Sequence, residues 1–282
     1  MLSKEQLIDD LLSLSFAEDI GDGDHTTLST IPESATGRSR LLIKEDGVLA
    51  GVDIAIKVIH RIDPEVKVDV MIPDGSRVRK GDVAFIAEGK VRSLLVAERT
   101  LLNIMQRMSG IATMTARYQD ELKGLRTKVL DTRKTTPGMR VLEKEAVKIG
   151  GGANHRMGLF DMILIKDNHI DFAGGIRQAV EAAKDYCREK NLDLKIEVEA
   201  RSLEDIREIL SIGGVDRIMF DNFTPELTAE AVKIVGDKAE TESSGGITLS
   251  TLRQYGEAGV DFISVGALTH SVKGLDMSFK AI

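Results

Sequence analysis

The sequence predicts an α/β protein, a mixed N-terminal domain followed by an α/β barrel. Past Lys123, short β-rich runs (TKVLD, DMILIK, LKIEVEA, DRIMFD, AETESS, DFISVGA) alternate with helical segments such as GIRQAVEAAKDYCREK and TPELTAEAVKIV. That alternation is the signature of βαβ units on a parallel sheet. Polar residues also collect at the C-terminal ends of those runs: Asp131 to Lys134, Lys166, Glu197 and Glu199, Asp221, Ser243 and Ser244, and Gly266. In a barrel such ends converge on one mouth, where active sites are built. Finally, the first βα turn lacks the G-x-G-x-x-G phosphate fingerprint, which counts against a dinucleotide-binding sheet. Six or seven barrel-type strands can be counted, so the barrel is expected to be incomplete.

Taken in order, Ser3 to Gln6 forms a capping-box pattern, and Leu7, Ile8, Leu11, Leu12 and Leu14 follow at helical spacing, which predicts an amphipathic first helix. The glycine and aspartate stretch Glu18 to Thr27 (EDIGDGDHTT) reads as a loop. It lacks the closing glutamate a calcium loop needs, so no metal is expected there. From Arg38 to Val91, the runs RSRLLIKE, KVDVMI and VAFIAEG, divided by Asp74-Gly75, Lys80-Gly81-Asp82 and Glu88-Gly89, predict strands, with a helix near Asp53 to Ile62. Ser93 to Leu122 predicts a long helix or a helix pair broken at Ser109-Gly110. The domains are accordingly placed at 1–110, with 271–282 as an optional addition, and 111–270.

Composition narrows the function. A net charge of −7 and a pI near 5.4 exclude a broad nucleic-acid or anionic-membrane surface. The single cysteine, Cys187, cannot form an internal disulfide. The N-terminus carries acids inside its apolar stretch, unlike a secretory signal, and no window reaches the apolar length of a membrane span, so a cytoplasmic protein is expected. Against this acidic background, Asp131 to His169 holds seven Lys/Arg and five Asp/Glu, with Gly150-Gly151-Gly152 in the middle. The cations are focused, as a pocket for small polyanions requires.

Three constellations carry chemistry. The glycine-bearing strand ends ESSGGI and SVGALTHS fall in the last two βα units, where small residues let backbone N–H groups approach phosphate oxygens. Glu199 and Asp221 end neighbouring runs and suit a magnesium ion that also takes phosphate oxygens and water, a role Glu197 could share. Arg133, Arg156, Lys166 and His155 suit a ligand with more than one carboxylate, because guanidinium groups bind carboxylates in bidentate fashion. Lys166, after the apolar run DMILI, is also a candidate Schiff-base lysine, which leaves an aldolase open.

At these residues the chain resembles the quinolinate phosphoribosyltransferase family, also called nicotinate-nucleotide pyrophosphorylase (carboxylating). The motifs EDIGDGDHTT, AERTLLNIMQRMSGIAT, LDTRKTTPGMR, KIGGGANHRMGLFDMILIKDNHI, IEVEA, IMFDNF, ESSGGI and SVGALTHS carry the likeness, in the family's order. The resemblance implies a type II phosphoribosyltransferase fold: an N-terminal α/β sandwich and a seven-stranded α/β barrel. It implies transfer of phosphoribose from phosphoribosyl pyrophosphate to quinolinate with decarboxylation, giving nicotinate mononucleotide, pyrophosphate and carbon dioxide for NAD biosynthesis. It also implies a homodimer or higher assembly in which Arg99 reaches the partner's site. Thr132, Arg133, Lys134, His155, Arg156 and Lys166 would line the local side of the pocket, and Glu199 and Asp221 would hold the ribose and Mg2+. Ser244, Gly245 and Gly246, with Val265, Gly266, Ala267 and His270, would cradle the 5-phosphate. Lys134, Lys166, Glu199 and Asp221 are the residues this match puts at the chemistry. The rivals are a phosphoribosyltransferase for another base, the aldolase, and a non-catalytic or transport-linked paralogue.

Overall fold

The computed structural model describes residues 2–282. In chain order its first half contains α1 (Lys4–Asp19), α2 (His25–Thr30), β1 (Thr36–Ile43), β2 (Gly47–Val48), α3 (Val52–Ile62), β3 (Lys67–Val70), β4 (Arg77–Val78), β5 (Val83–Lys90), α4 (Val91–Glu121), β6 (Lys128–Leu130) and α5 (Arg140–Ile149). There follow β7 (Ile163–Ile165), α6 (Asp167–Ala173), α7 (Ile176–Lys190), β8 (Ile196–Ala200), α8 (Leu203–Ile212), β9 (Arg217–Asp221) and α9 (Pro225–Val235). The last elements are β10 (Glu240–Ser244), α10 (Leu252–Glu257), β11 (Phe262–Ser264), α11 (Ala267–His270) and β12 (Met277–Ala281). The chain divides into two compact units, one of residues up to 116 with 135–151 and 267–282, the other of 117–134 with 152–266.

In the first unit, the Ser3 hydroxyl accepts from the Gln6 N–H at 3.1 Å and the Gln6 side chain accepts from the Ser3 N–H at 2.8 Å, so the capping box satisfies two helix-end donors of α1. Ile8 and Leu12 face inward, while Leu7 and Leu14 are exposed. The Glu18–Thr27 stretch is less loop than its composition predicts: Asp24 caps α2, accepting from the Thr27 N–H at 3.0 Å, and the helix begins at His25. A four-stranded antiparallel sheet has the order β12-β1-β5-β3, with the C-terminal strand paired to β1 from Ser39↔Ala281 to Ile43↔Met277. Its buried face includes Leu41, Ile43, Phe85 and Phe279, the two rings 6.0 Å apart.

One sequence expectation needs correction here. Helix α4 runs without a break through Ser109-Gly110. The pair that read as punctuation is a packing device: the Ser109 hydroxyl accepts from the Ala50 N–H at 2.9 Å and donates to the Ala50 carbonyl at 3.0 Å. A Cβ at Gly110 would collide with the Lys273 carbonyl and meet Val272 at 3.0 Å. Residues 135–151 group with this unit, although 111–270 were assigned to the barrel. The buried Glu143 of α5 ties them in, accepting from Arg107 of α4 at 2.9 Å and from the Thr136 N–H at 3.1 Å.

The second unit is built on a parallel sheet of six strands, order β6-β11-β10-β9-β8-β7. The six β-rich runs of the sequence are these six strands. A seventh position survives as a single bridge: Ala153 pairs in parallel with Leu130 on the outer edge of β6. The cause is local. Glycines precede Ala153, and the residues after it turn away to Asp131 at the end of β6, which accepts from the His155 N–H at 2.9 Å and from the Asn154 side chain. Val129, Val198, Ile218, Phe220 and Ile263 form the core of this unit. Within the sheet Glu199 is level with Met219, and Ser244 with Asp221, so the strand ends form one rim.

Candidate active site

A cavity of about 190 Å³ opens at that rim, lined by Thr132, Arg133, Lys134, His155, Arg156, Leu164, Lys166, Met219, Glu242, Ser244 and Ser264. The residues come from the ends of β6, β7, β9, β10 and β11 and from the segment after Ala153. Seven of them were site candidates from the sequence: Thr132, Arg133, Lys134, His155, Arg156, Lys166 and Ser244. The loop after β6 is braced internally, the Thr132 hydroxyl accepting from the Lys134 N–H at 3.1 Å. Asp131, fully buried, is not among the lining residues; it accepts from the Asn154 side chain and the His155 N–H and so holds both in place.

The cations crowd each other. Burial pulls the Arg156 guanidinium below its ordinary pKa, and the neighbouring Arg133 charge adds to that. Its Nη1 donates to the Met162 carbonyl at 3.3 Å, which orients the guanidinium without neutralising it. Two guanidiniums in one small cavity repel each other, and a bound anion would relieve that repulsion.

The carboxylates form two tiers. At the rim, Lys166 Nζ is 3.8 Å from Glu199 Oε2. Burial, and then the Asp221 charge, hold the Glu199 carboxyl above the usual carboxylate range. A divalent cation would relieve that repulsion, so Glu199 and Asp221 fit the magnesium expected between them. Lower down, His155 Nε2 is 3.0 Å from Glu197 Oε2 and 3.6 Å from Glu242 Oε2, all three side chains being almost wholly buried. Arg217 closes the cluster, its Nη1 3.0 Å from Glu242 Oε2 and its guanidinium 4.3 Å above the Phe262 ring. Burial pushes both Glu197 and Glu242 up to about 7. Glu197 thus sits beside His155 in the interior, below the rim where its neighbour Glu199 stands.

The remaining candidates lie as follows. Gly245 and Gly246 leave β10 with φ of 98° and 61°, backbone that glycine adopts without strain. After β11 the Val265 N–H donates to the Leu130 carbonyl at 3.0 Å, and Gly266 ends the second unit. Ala267 and His270 belong to the short α11, grouped with the first unit, where the exposed His270 Nδ1 is 2.6 Å from the Ser271 hydroxyl. Arg99, also of the first unit, is exposed on α4 and is not among the residues lining the cavity.

Sequence reasoning missed Glu242, Met219, Ser264 and Leu164 as lining residues, and Arg217 beneath them. One signal for Glu242 was present. Strand alternation puts it on the face of Ser244, two residues on, so a residue chosen for the rim implied the one below it.

A family profile described as "Quinolinate phosphoribosyl transferase, C-terminal domain" matches residues 111–280, and its N-terminal counterpart matches 24–109. The chain is 46% identical over 285 residues to the chloroplastic nicotinate-nucleotide pyrophosphorylase [carboxylating] of Arabidopsis thaliana, covering 96% of this chain and 81% of that one. It is 43% identical over 268 residues to the probable nicotinate-nucleotide pyrophosphorylase [carboxylating] of Bacillus subtilis, covering 95% and 91%. Among solved structures, the nicotinate-nucleotide pyrophosphorylase from Francisella tularensis superposes with a TM-score of 0.93 at 38% identity, covering 100% of this chain and 98% of that one.

Proposed function

This chain belongs to the quinolinate phosphoribosyltransferase family, and we infer that it is a carboxylating nicotinate-nucleotide pyrophosphorylase. It transfers phosphoribose from phosphoribosyl pyrophosphate to the quinolinate nitrogen, with loss of the 2-carboxylate, giving nicotinate mononucleotide, pyrophosphate and carbon dioxide in de novo NAD biosynthesis. The observation that carries this reading is the pair Arg133 and Arg156 in one cavity with Lys134 and Lys166, a cationic surplus fitted to a dicarboxylate.

In our assignment Arg133, Arg156 and Lys166 bind the two quinolinate carboxylates, and Thr132, Lys134 and His155 complete that wall. Binding there fixes the ring nitrogen against the ribose, so positioning supplies much of the catalysis. As pyrophosphate leaves, positive charge grows on the ribose, and Glu199 and Asp221 stabilise it electrostatically. The same two carboxylates would hold Mg2+, which when bound neutralises charge on the pyrophosphate leaving group. Ser244, Gly245, Gly246, Val265, Gly266, Ala267 and His270 would receive the 5-phosphate. Decarboxylation follows because the adjacent pyridinium nitrogen stabilises the electron pair left at the ring carbon as carbon dioxide departs; that carbon then takes a proton from water, and no covalent bond to the enzyme is needed. A lysine imine at Lys166 fits less well: its Nζ is 3.8 Å from Glu199 Oε2, an ion pair that occupies the nitrogen an imine would use.

Arg99 is proposed to act across the interface of a homodimer or larger assembly. It is exposed, and among the described residues it has no hydrogen-bond or ion-pair partner, as expected of a side chain whose partner lies outside its own subunit. No helix among the described residues is long and apolar enough to cross a membrane, and a cytoplasmic setting is part of the same proposal.

The test is incubation of the protein with quinolinate, phosphoribosyl pyrophosphate and magnesium. Equal amounts of nicotinate mononucleotide and carbon dioxide are expected. Turnover of nicotinate but not quinolinate would move the substrate assignment, and no turnover with either would favour a non-catalytic paralogue.

A further inference from the structure

Asn222 immediately follows the last residue of β9 and adopts φ 56°, one of two non-glycine residues with positive φ among those described. The left-handed region is unfavourable for most side-chain-bearing residues, less so for asparagine, and a residue stays there where the surroundings hold it. Here they do. The Asn222 N–H donates to the Ser244 carbonyl at 2.9 Å, extending the β9–β10 ladder one step past Ser244↔Asp221. Next along the chain, Phe223 is buried and stacked on Phe220, centroids 5.5 Å apart at 17°, and its carbonyl accepts from the Tyr255 hydroxyl at 3.0 Å.

The turn sends the Asn222 side chain back over the site. Its Nδ2 donates to Asp221 Oδ2 at 2.8 Å. Its carboxamide also lies against Gly245 so closely that a Cβ there would collide with Oδ1 and sit 2.7 Å from Cγ and 3.0 Å from the backbone nitrogen. One residue therefore touches both the carboxylate at the end of β9 and the glycine turn after β10. We propose that Asn222 is a positioning residue for the phosphoribosyl half of the site: it fixes the Asp221 carboxylate and holds the Ser244–Gly246 turn in register with it. The inference rests on the assignment of Asp221 and that turn to phosphoribosyl pyrophosphate. It explains two choices at once: asparagine tolerates left-handed backbone while keeping a donor, and glycine at 245 admits the carboxamide.

The experiment compares wild type with Asn222→Gly and Asn222→Asp, the first removing the side chain and relaxing the backbone, the second keeping the shape and losing the donor. Expected for Asn222→Gly is an unfolding midpoint equal to or above wild type. Its Kd and KM for phosphoribosyl pyrophosphate should rise at least ~10-fold, a loss of about 1.4 kcal/mol, with the KM for quinolinate almost unchanged. Calorimetry reads the Kd without turnover. If the glycine variant fails to fold, the same split in Asn222→Asp decides. Unchanged phosphoribosyl pyrophosphate binding, or both KM values rising in parallel, would overturn the proposal. Wild-type enzyme in the same assay separates the two readings: an inactive wild type rejects the activity, whereas an active one with unaltered variants rejects only the role of Asn222.

Discussion

Glu242 shows what a buried charge does in this fold. It has no exposed surface, and burial, with Glu197 beside it, pushes its carboxyl up to about 7 from an ordinary 4.5. Because the folded-state value is the higher one, the folded chain holds extra protons between those two pH values. Stability therefore falls as pH rises through that window and levels off above it, by on the order of 1–3 kcal/mol. Urea unfolding of wild type at pH 5 and pH 8 should show the fall, and Glu242→Gln, which cannot ionise, should make it shallower, leaving the share that Glu197 carries. Equal slopes would mean that Glu242 does not titrate there. At the cavity wall, Arg133→Ala and Arg156→Ala should each weaken quinolinate binding by a few kcal/mol with circular dichroism unchanged, since each removes half of a bidentate-capable pair. Unaltered affinity in both would reject the carboxylate assignment. Residues of this kind were readable in the sequence because strand ends and cations announce themselves. Arg217 was not, since it opens β9 away from the strand end, and Glu242 was signalled only indirectly, through alternation with Ser244.

Helix α4 separates what pattern can say from what packing decides. Ser109-Gly110 looked like a break because both residues are poor helix formers, and propensity is a local quantity. The reason they are there is tertiary: Ser109 satisfies Ala50, and Gly110 admits the 272–274 segment against the helix. Gly110→Ala consequently sets two effects in opposition. Alanine gains about 1 kcal/mol of helix propensity, whereas overpacking against a backbone carbonyl costs roughly 1–3 kcal/mol. The collision is with main chain, which cannot swing aside, so net destabilisation is expected in chemical denaturation. A variant more stable than the parent would show that the 272–274 backbone yields freely. The six strands of the parallel sheet, by contrast, were all legible, because each is a buried β-rich run bounded by turns. The seventh was not, because Ala153 makes one bridge and its neighbours serve Asp131 instead.

For the whole molecule, the sequence carried the two-part α/β plan and most of the cavity wall, but assembly is written on exposed surfaces, where no periodicity reports a partner. Arg99 is the residue that makes assembly testable. If it completes a site on a second subunit, a site needs Arg99 from one chain and Lys166 from the other. Neither Arg99→Ala nor Lys166→Ala alone would then be active, yet mixing them creates hybrid dimers. In each hybrid one site carries both defects and the other carries neither. Random exchange of equal amounts should restore about a quarter of wild-type sites, the product of two independent halves. If Arg99 serves its own subunit, every site in the mixture has one defect and nothing is restored. Activity measured against mixing ratio, with subunit exchange followed by a mass label on one variant, distinguishes these outcomes. Full exchange without recovery would place Arg99 in its own subunit's site or outside any site.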